Sequence, residues 1–555
     1  MMKRFYIFLT VFLSMSLNSA AQENPGENLS PSGSRFAENF RSAHSKISYQ
    51  MQNSACFYTI RKQRSEDTAL CSEAEVSVFG SSGISDGDFL VYQGSGNKDA
   101  GIYGCGVKDY GKYGILYGKA FYASGRHTGI SWNTMRFPEL YLPYLITDST
   151  GGDSRFETYC AQGGYAQRHG SWHFGFDFSF YGEQSWRFTD PRVLTNVTFL
   201  RFQLSAGKVF GDGNALWVST YYMRNKQYLH DRYWRPGEQQ RFFVIYGFGL
   251  YDNKESVVSF GVSRMYYINN AGITLSYLSP QKRPFAAEVA LNYDFKKMYT
   301  EESNIVQLYN TRNHFFYPEF SVSYSYGKWL LRLSSVSKIL LRKGYENILE
   351  RYMTDVANST YDYRKIAEEQ NYKYSEIQSQ NSLRAEYSAG KRHTVGVETA
   401  ATLYRRTEKN IKYHYNVENL NITPAVKADY KSVSRSGRHG FTAGILYCQQ
   451  IAQKHSYDVE IINSAIPHVD FQTCFAPYAY FASEFGVVAG ELSYQYNFTK
   501  LSPGLRLCGF WLSGNRVSGV QYDKTVGYNS VCPMISTFAD SHNEKWLNAS
   551  LFVKF

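Results

Sequence analysis

The stretch SWHFGFDFSF, residues 171–180, alternates aromatic with polar or small residues without a break. Because successive side chains of a β-strand point to opposite faces, this pattern predicts a strand with one apolar and one polar face. The aromatic face consists of Trp172, Phe174, Phe176, Phe178 and Phe180. The same alternation recurs at 284–296 and 487–498, and in weaker form at 257–267, 320–326 and 395–404.

The length of these runs separates two all-β folds that both produce alternation. Each of the three clearest runs spans ten residues or more, whereas strands of soluble proteins average about 5–6 residues and membrane-crossing strands about 9–11. A soluble secreted sandwich, with one solvated and one buried face, stays open as an alternative. Run length, and aromatic residues near the strand ends, favour a transmembrane antiparallel up-and-down β-barrel.

The amino end has the features of a secretory signal peptide. Lys3 and Arg4 precede an apolar run at 5–17, and the small residues Ser19 and Ala21 follow it. This order predicts cleavage after Ala21, so that residues 1–21 are removed. The alternative is an uncleaved anchor helix, but the run is shorter than the ~20 residues that span a bilayer. An exported barrel belongs in the outer membrane of a Gram-negative cell.

The rest of the chain divides into two regions. Residues 22–110 lack a continuous strand period and are expected to hold a lumenal element and the first strands, or a periplasmic extension. Residues 111–555 contain enough alternating runs for a barrel of roughly 16 to 20 strands, with an even number expected. The charged, irregular stretch 343–378 predicts a long loop or an inserted helix. Turn residues at 168–170, 211–214, 269–272 and 484–486 predict connections between strands.

The last strand ends at the carboxyl terminus. Asn548, Val553 and Phe555 match positions of a pattern that resembles the insertion signal of outer-membrane barrels, while Ser550 stands where glycine is usual. The resemblance implies that the barrel-assembly machinery binds this strand. The alternative is an ordinary edge strand. Since lipid leaves unpaired backbone groups no water to bond, the last strand is expected to pair with the first.

Composition limits the classes of function. With 43% hydrophobic residues the chain is not a disordered tail protein, and its formal net charge of +11 suggests contact with anionic lipid and lipopolysaccharide. A nucleic-acid partner is not expected for an exported barrel. The eight cysteines form no C-x-x-C pair. Cys56 and Cys71 are the nearest candidates for a disulfide, and thiols in the barrel wall are the alternative.

Sequence motifs of enzymes are absent. The chain has no G-x-S-x-G elbow, no H-E-x-x-H zinc helix and no phosphate-binding glycine loop. His173 and Asp177 lie on one face of a predicted strand and are either a catalytic pair or part of a polar lumen wall. We therefore predict no catalytic, cofactor-binding or metal-binding residues, and no enzyme.

Charged residues on the polar faces of predicted strands are expected to face the lumen. They line a conduit and tune its selectivity, or they form ion pairs inside a closed barrel. About 8 strands leave an interior filled by side chains, whereas about 16 leave an aqueous channel unless something plugs it. These residues are Glu288, Asp294, Lys296, Glu398 and Glu491.

Taken together, the sequence resembles the uncharacterised outer-membrane β-barrel proteins of Bacteroidota-type Gram-negative bacteria. The segments that carry the resemblance are the signal-peptide end Ser19-Ala20-Ala21-Gln22, Asp190-Pro191-Arg192 after Trp186-Arg187-Phe188, and the terminal Phe555. TonB-dependent receptors are a poor match, because this chain is short for a 22-stranded barrel with a large plug.

The resemblance implies location and fold, and three functions stay open. The leading hypothesis is a porin-like or partner-gated conduit of unknown substrate. The first alternative is a non-conducting barrel that anchors a secretion or surface-glycan assembly through protein partners at its extracellular loops. The second alternative is a membrane-embedded hydrolase.

Overall fold

The computed structural model describes residues 73–555 except 87–91, 93, 149, 190–191, 231–241, 248–249, 254–263, 281–283, 303–305, 356–359, 391, 414, 460–467, 470–483 and 516–540. The predicted signal peptide, Asp190-Pro191 and the Cys56–Cys71 pair lie outside the described residues. In the described part of the chain, no helix is long and apolar enough to cross a membrane.

The described residues are almost entirely β-structure, with two 3-10 turns at Gly111–Tyr113 and Pro138–Leu140. The strands are β1 (Glu73–Asp86), β2 (Gly96–Asp109), β3 (Ile115–Ile130), β4 (Tyr144–Asp148), β5 (Gly152–His169), β6 (Trp172–Arg187), β7 (Leu194–Val209), β8 (Ala215–His230), β9 (Phe242–Tyr246), β10 (Leu250–Asn253), β11 (Arg264–Leu278), β12 (Phe285–Glu301), β13 (Tyr309–Tyr326), β14 (Trp329–Asp355), β15 (Thr360–Ala389), β16 (His393–Asn410), β17 (Tyr415–Val433), β18 (His439–Gln449), β19 (Ile451–Val459), β20 (His468–Val469), β21 (Glu484–Tyr496), β22 (Ser502–Asn515) and β23 (Ser541–Lys554).

The large sheet closes on itself as an 18-strand antiparallel barrel, which confirms the predicted fold class and lies within the predicted range of strand number. β18 and β19 both pair with β17 and together make one wall strand. The break between them lies opposite Pro424, which has no N–H to donate to the ladder. The last strand, β23, pairs with β1 from Glu75↔Lys554 to Asp86↔Asn543. The expected pairing of last and first strands is thereby confirmed.

The wall is apolar outside and polar inside. In β6 the outward Phe174 is 50% exposed, whereas the inward His173 and Asp177 are each 4% exposed. The same inversion runs along β8, where Leu216 and Val218 face out and Ser219 faces in. A soluble sandwich buries its apolar face, so this pattern is that of a barrel whose outer surface contacts lipid.

The two ends of the barrel differ in the length of their connections. At the end that holds Glu75 and Phe555, tight turns join β5 to β6, β7 to β8 and β13 to β14. Gly170 and Gly327 lie in these turns at φ +62° and +58°, a conformation that glycine adopts without strain. We call this the short-turn end. The opposite end carries the longer connections, including 131–151, 231–263 and 516–540, and we call it the long-loop end.

Three of the predicted irregular segments are strands instead. The stretch 343–378, predicted as a loop or inserted helix, belongs to the long hairpin of β14 and β15. The predicted turns at 269–272 and 484–486 lie inside β11 and at the start of β21. The polar residues at 269–272 are accommodated because they alternate between the lumen and the outer surface. The turns predicted at 168–170 and 211–214 are confirmed.

The hairpin of β14 and β15 extends beyond its neighbours. Pairing with β13 ends at Glu346, and pairing with β16 ends at Tyr372. Of the described residues, 348–355 and 360–367 therefore pair in the sheet only with each other, whereas Asn347 still bonds to Leu308 and Asn310. At about 3.3 Å per residue this projection reaches roughly 30 Å past the rim.

Candidate functional site: the barrel lumen and its inner sheet

The connection between β3 and β5, residues 131–151, folds into the barrel, and we call it the insert. Its side chains pack against inward-facing residues of the wall in one hydrophobic cluster. Phe137 lies 5.8 Å from Tyr181 of β6 and 5.9 Å from Phe199 of β7, measured between ring centroids. Leu140, Tyr141, Tyr144 and Ile146 are almost fully buried.

The insert also reaches the far wall. Nη1 of Arg342, on β14, donates to the backbone oxygens of Glu139 at 3.0 Å and Leu142 at 3.1 Å. Seven barrel strands, β5 to β8 and β11 to β13, separate β3 from β14 in the order of the sheet. In an 18-strand barrel this places the two attachment points close to opposite sides, so the insert crosses the lumen.

A glycine in the wall permits this close approach. A Cβ added to Gly344 would lie 2.9 Å from Cβ of Tyr372 and 3.1 Å from the hydroxyl oxygen of Tyr144 in the insert. The ring of Tyr144 stacks on Tyr309 of β13 with centroids 4.5 Å apart. The insert is thus fitted against β13 and β14 by shape as well as by hydrogen bonds.

Buried ion pairs attach the insert to the near wall. Arg187 of β6 pairs with Asp148 at 2.7 Å, and their side chains are 5% and 1% exposed. Arg136 of the insert pairs with Glu183, also on β6. Breaking a buried pair by removing one partner leaves an uncompensated charge, which costs about 3–5 kcal/mol.

Tyr266 of β11 holds the backbone of the insert. Its hydroxyl accepts a hydrogen bond from the N–H of Ile146 at 3.0 Å and donates to the carbonyl oxygen of Tyr144 at 3.1 Å. On β8, Asn225 accepts a hydrogen bond from the Tyr141 hydroxyl at 2.6 Å. The contacts of the insert therefore extend along the wall from β6 to β14.

Two other connections of the long-loop end join the insert in a second sheet. The strand order is β20-β10-β9-β4, all antiparallel, and we call it the inner sheet. Asn410 of β16 donates to the carbonyl oxygen of Tyr246 in β9 at 2.9 Å. All residues of β4 are buried, and Phe242 and Ile245 of β9 belong to the same hydrophobic cluster as the insert. The inner sheet extends the contacts to β16.

Glu139 of the insert has a carboxyl group whose pKa lies near neutral pH. Burial raises the pKa of its carboxyl to about 7, although Arg406, Arg342 and Arg136 act in the opposite direction. The carboxyl is therefore poised to change charge in the physiological range, at the point where the insert meets β14.

The sequence-predicted lumenal charges face inward, as expected, and lie on three strands: Glu288, Asp294 and Lys296 on β12, Glu398 on β16 and Glu491 on β21. Glu288, Asp294, Lys296 and Glu491 are each at most 6% exposed, and Glu398 lies 3.8 Å from Arg384. These side chains are distributed around the wall and do not form one compact site.

A cluster of lumenal charges centres on Arg384 of β15, which has three acidic side chains within ion-pair distance. Its guanidinium donates to both carboxylate oxygens of Asp429, at 2.6 and 2.9 Å, and to Glu386 at 3.2 Å. Sequence reasoning identified Glu398 but missed Arg384 and Asp429. Their inward parity within alternating strands was the available signal.

The candidate catalytic pair does not have the geometry of one. His173 and Asp177 share the inward face of β6, but four strand residues place their Cα atoms roughly 13 Å apart. Asp177 instead accepts a hydrogen bond from the Tyr117 hydroxyl of β3. Among the described residues, no group of three or more His, Cys, Asp or Glu side chains could hold a metal ion.

A family model described as a family of unknown function, DUF6850, matches residues 72–555. The chain belongs to this family. The match begins next to β1 and covers the whole barrel, so the insert and the inner sheet lie within the DUF6850 region. No curated protein sequence matches the chain.

Several solved structures share the barrel fold with this DUF6850 protein. The ferric yersiniabactin uptake receptor of Yersinia pestis has a TM-score of 0.41 and 9% identity, over 86% of this chain and 80% of that chain. The copper transporter OprC has a TM-score of 0.39 and 8% sequence identity, and the match covers 87% of this chain and 83% of that chain. A mutant ferric enterobactin receptor of Pseudomonas aeruginosa has a TM-score of 0.36 and 8% sequence identity, and the match covers 87% of this chain and 80% of that chain. At similarities this low, what these proteins transport is not transferred to the DUF6850 chain.

Asn548 and Val553 of the candidate assembly signal lie on β23, and Phe555 directly follows that strand. Asn548 points inward and is 1% exposed, whereas Phe555 is 61% exposed. The backbone of Phe555 exchanges hydrogen bonds with Ala74, at 2.9 and 3.3 Å, at the seam where the barrel closes. Whether assembly factors bind Asn548, Val553 and Phe555 stays a prediction.

Cysteines in the described part of the wall are thiols. Cys105, Cys160, Cys448 and Cys508 form no disulfide. The nearest-neighbour candidate, Cys56 with Cys71, stays a prediction.

Sequence reasoning missed the insert and the inner sheet. The segment LYLPYLI, residues 140–146, is a short continuous apolar run interrupted by Pro143. Such a run is typical of a strand buried on both faces, and this was the signal that could have found β4.

Proposed function

We propose that this DUF6850 protein is an outer-membrane conduit that its inner sheet closes at rest and that a partner or ligand opens by displacing the insert. Its substrate is unknown. The exposed apolar wall and the predicted signal peptide support an outer-membrane location. Short turns face the periplasm in bacterial barrels, so the long-loop end faces outside. The resemblance of the termini supports a Bacteroidota-type origin.

One observation carries the proposal: the insert crosses a lumen that 18 strands would otherwise leave open. Barrels of 16–18 strands contain an aqueous channel. Here the insert and the inner sheet contact the wall from β6 to β16 through hydrogen bonds and buried ion pairs. A conduit with this construction conducts only after these contacts break. We propose a transport role and no enzymatic one.

A loop replacement tests the proposal directly. Ile130 and Gly152 are already opposite each other in the β3–β5 pair, so an Asn-Gly turn can replace residues 131–151 without changing the register of the strands. In proteoliposomes, we expect this variant to admit small sugars that the unaltered protein excludes. Heat-modifiable migration in SDS gels checks that both barrels are folded.

A second loop replacement provides the control. Glu346 and Glu369 face each other where the β14–β15 hairpin leaves the barrel, so an Asn-Gly turn can replace 347–368. This deletion is of similar length but removes no residue of the insert or of the inner sheet, and we expect it to leave the barrel closed. Equal sugar uptake by the unaltered protein and the insert variant would contradict the proposal.

The projecting hairpin favours one second candidate, a barrel that anchors an assembly. Exposed apolar side chains at Ile348, Met353 and Ile366 stand on the hairpin beyond the rim. Because removal of the insert would open an 18-strand lumen in either case, such an anchor is recognised by the loss of protein partners when 347–368 is replaced. Cross-linking in cells followed by affinity purification separates the two roles.

We also propose that the barrel-assembly machinery recognises β23 through Asn548, Val553 and Phe555. The support is the position of these residues at the closing seam. Truncation of Phe555 is expected to lower the amount of folded barrel in the membrane, measured by heat modifiability. An unchanged folded fraction would argue against this role.

A further inference from the structure

Five neighbouring strands carry a basic residue at one register position on the outer wall. Lys297 of β12 faces Arg312 of β13, and Arg312 faces Lys343 of β14. Lys343 faces Lys373 of β15, and Lys373 faces Lys409 of β16. We call these five residues the basic row. The four lysines are exposed and Arg312 is half-buried, and all five point away from the lumen.

Such a row is unfavourable on its own. Residues directly opposite in antiparallel strands have Cα atoms about 4.5–5.5 Å apart, and like charges placed there destabilise the sheet. Arg312 is compensated, because it pairs with Glu368 and lies 4.3 Å over the ring of Tyr345. In the described part of the chain, no carboxylate lies within ion-pair distance of the four lysines. An external anion would remove this repulsion.

The basic row lies where lipid tails give way to headgroups. On its short-turn side the wall is apolar, with Phe295, Phe316 and Leu341 exposed. On its long-loop side the outward residues include Tyr299 and Tyr345, as expected for an interfacial aromatic girdle.

The height of the row agrees with this position. Lys297 lies 12 residues beyond Phe285, the first residue of β12 at the short-turn end. With about 3.3 Å per residue and a strand tilt of about 40°, Lys297 stands roughly 30 Å above that end. The apolar band of an outer-membrane barrel is about 25 Å tall, so Lys297 clears the hydrocarbon on the long-loop side.

The same surface continues across β11 to β8. Asn269 of β11 faces both Lys297 and Arg224 of β8. The guanidinium of Arg224 and the amine of Lys226 lie 5.6 and 5.7 Å from the ring of Tyr267, which stacks on Tyr299 at 5.0 Å. Cationic groups and tyrosines are thus interleaved at the edge of the apolar wall.

We propose that the basic row binds the phosphate groups of lipopolysaccharide's lipid anchor in the outer leaflet. The four strand-to-strand steps of the row span roughly 19 Å, more than a single phosphate occupies. A bis-phosphorylated glycolipid presents two phosphates on one rigid sugar backbone and matches a row of this length. Its acyl chains then lie against Phe295, Phe316 and Leu341. The inference rests on the outward orientation of the long-loop end but not on the closed lumen.

The test measures lipid binding by the full-length barrel in detergent micelles. The probes are bis-phosphorylated lipid A, the same lipid with both phosphates removed, phosphatidylglycerol and inorganic phosphate. The test variant combines Lys297→Gln, Lys343→Gln and Lys373→Gln. The control variant combines Lys328→Gln, Lys431→Gln and Lys500→Gln, which removes the same charge at the short-turn end. Heat modifiability confirms that each barrel is folded.

We expect the Kd for bis-phosphorylated lipid A to rise about tenfold or more in the test variant. The control variant is expected to stay within about twofold of the unaltered protein. Dephosphorylated lipid A is expected to bind both variants and the unaltered protein with the same low affinity.

Three results would each overturn the inference. The first is an unchanged Kd in the test variant. The second is equal affinity for phosphorylated and dephosphorylated lipid A, since acyl contacts alone would then account for binding. The third is equal affinity for phosphatidylglycerol or competition by millimolar inorganic phosphate, because the row would then attract any anion. None of these readouts depends on solute uptake, so the proposed conduit can fail or succeed separately.

Discussion

Replacement of Arg342 by methionine is the sharpest single-residue test of how the insert is held. Nη1 of Arg342 donates to two backbone oxygens of the insert, and Nε donates to Oδ1 of Asn313 at 2.7 Å. The side chain is 3% exposed. Methionine keeps much of the apolar volume but removes the charge and all three hydrogen bonds.

The expected size of the effect follows from these contacts. A hydrogen bond that involves a charged group contributes about 1.5–3 kcal/mol. Because both bonds to the insert share one donor nitrogen, we count them together as about 2–3 kcal/mol. Opening of the insert is then favoured by roughly 30- to 150-fold in Arg342→Met. The barrel should stay intact, since its backbone ladder is unchanged.

Hydrogen exchange measured by mass spectrometry reads this opening directly. In Arg342→Met, the amides of residues 134–147 are expected to exchange roughly 30- to 150-fold faster, while the amides of β6 and β7 keep their protection. The control is Arg332→Met, a buried lumenal arginine on the same strand toward the short-turn end. Unchanged exchange of 134–147 in Arg342→Met, or equal acceleration in both variants, would refute the reasoning.

Three further substitutions probe the other attachments of the insert. Because burial raises the pKa of Glu139 from 4.5 to about 7, its contribution to holding the insert is full below about pH 4.5 and is lost as the pH rises through about 7. The hydrogen-exchange protection factors of residues 134–147 should therefore fall from pH 5 to 8, and Glu139→Gln should abolish that fall. Asp148→Asn leaves Arg187 buried without its carboxylate partner and is expected to destabilise the insert by about 3–5 kcal/mol. Unaltered hydrogen exchange of residues 143–150 in this variant would contradict that destabilisation. Tyr266→Phe removes both hydrogen bonds to the backbone of β4, at about 1–3 kcal/mol each, and should accelerate hydrogen exchange of the insert. The control is Tyr267→Phe, at the neighbouring outward position, which should leave hydrogen exchange of the insert unchanged. Equal acceleration in the two variants would be inconsistent with the assigned contacts.

The barrel wall could be predicted because the different surroundings of its two faces require a simple alternating pattern in the sequence. Each wall strand meets lipid on one face and the polar lumen on the other, so apolar and polar residues must alternate along its length. Phe174, Phe176 and their inward neighbours His173 and Asp177 follow this rule, and the structure places them as the alternation requires. The orientation of Glu288 and Glu491 followed from the same parity.

The inner sheet could not be predicted in this way. β4 is buried on both faces, so its sequence carries no alternation, and the partners of Tyr144 and Asp148 are far away in the chain. The contact between Arg342 and the insert joins residues about two hundred positions apart. Such contacts depend on closure of the barrel, which local patterns do not encode.

The error at 343–378 has the opposite cause. Beyond the rim, the hairpin of β14 and β15 has no lipid on either face, so the apolar period ends although the backbone pairing continues. Glu350 and Arg364 face each other there and form an exposed ion pair. Because charged residues occur on both faces, the sequence of this segment resembles that of a loop. The backbone hydrogen bonds between β14 and β15 nevertheless keep it extended.

The most direct measurement of the central claim is single-channel recording of the unaltered protein in a planar bilayer during perfusion with urea. The inner sheet consists of four short strands, whereas the barrel wall is a closed sheet of 18 strands. Urea is therefore expected to release the insert at a lower concentration than it needs to unfold the barrel. The account predicts silence in buffer, large stepwise openings in urea, and silence again after washout. Large stable openings in buffer alone would show that the lumen is open at rest and would contradict the account.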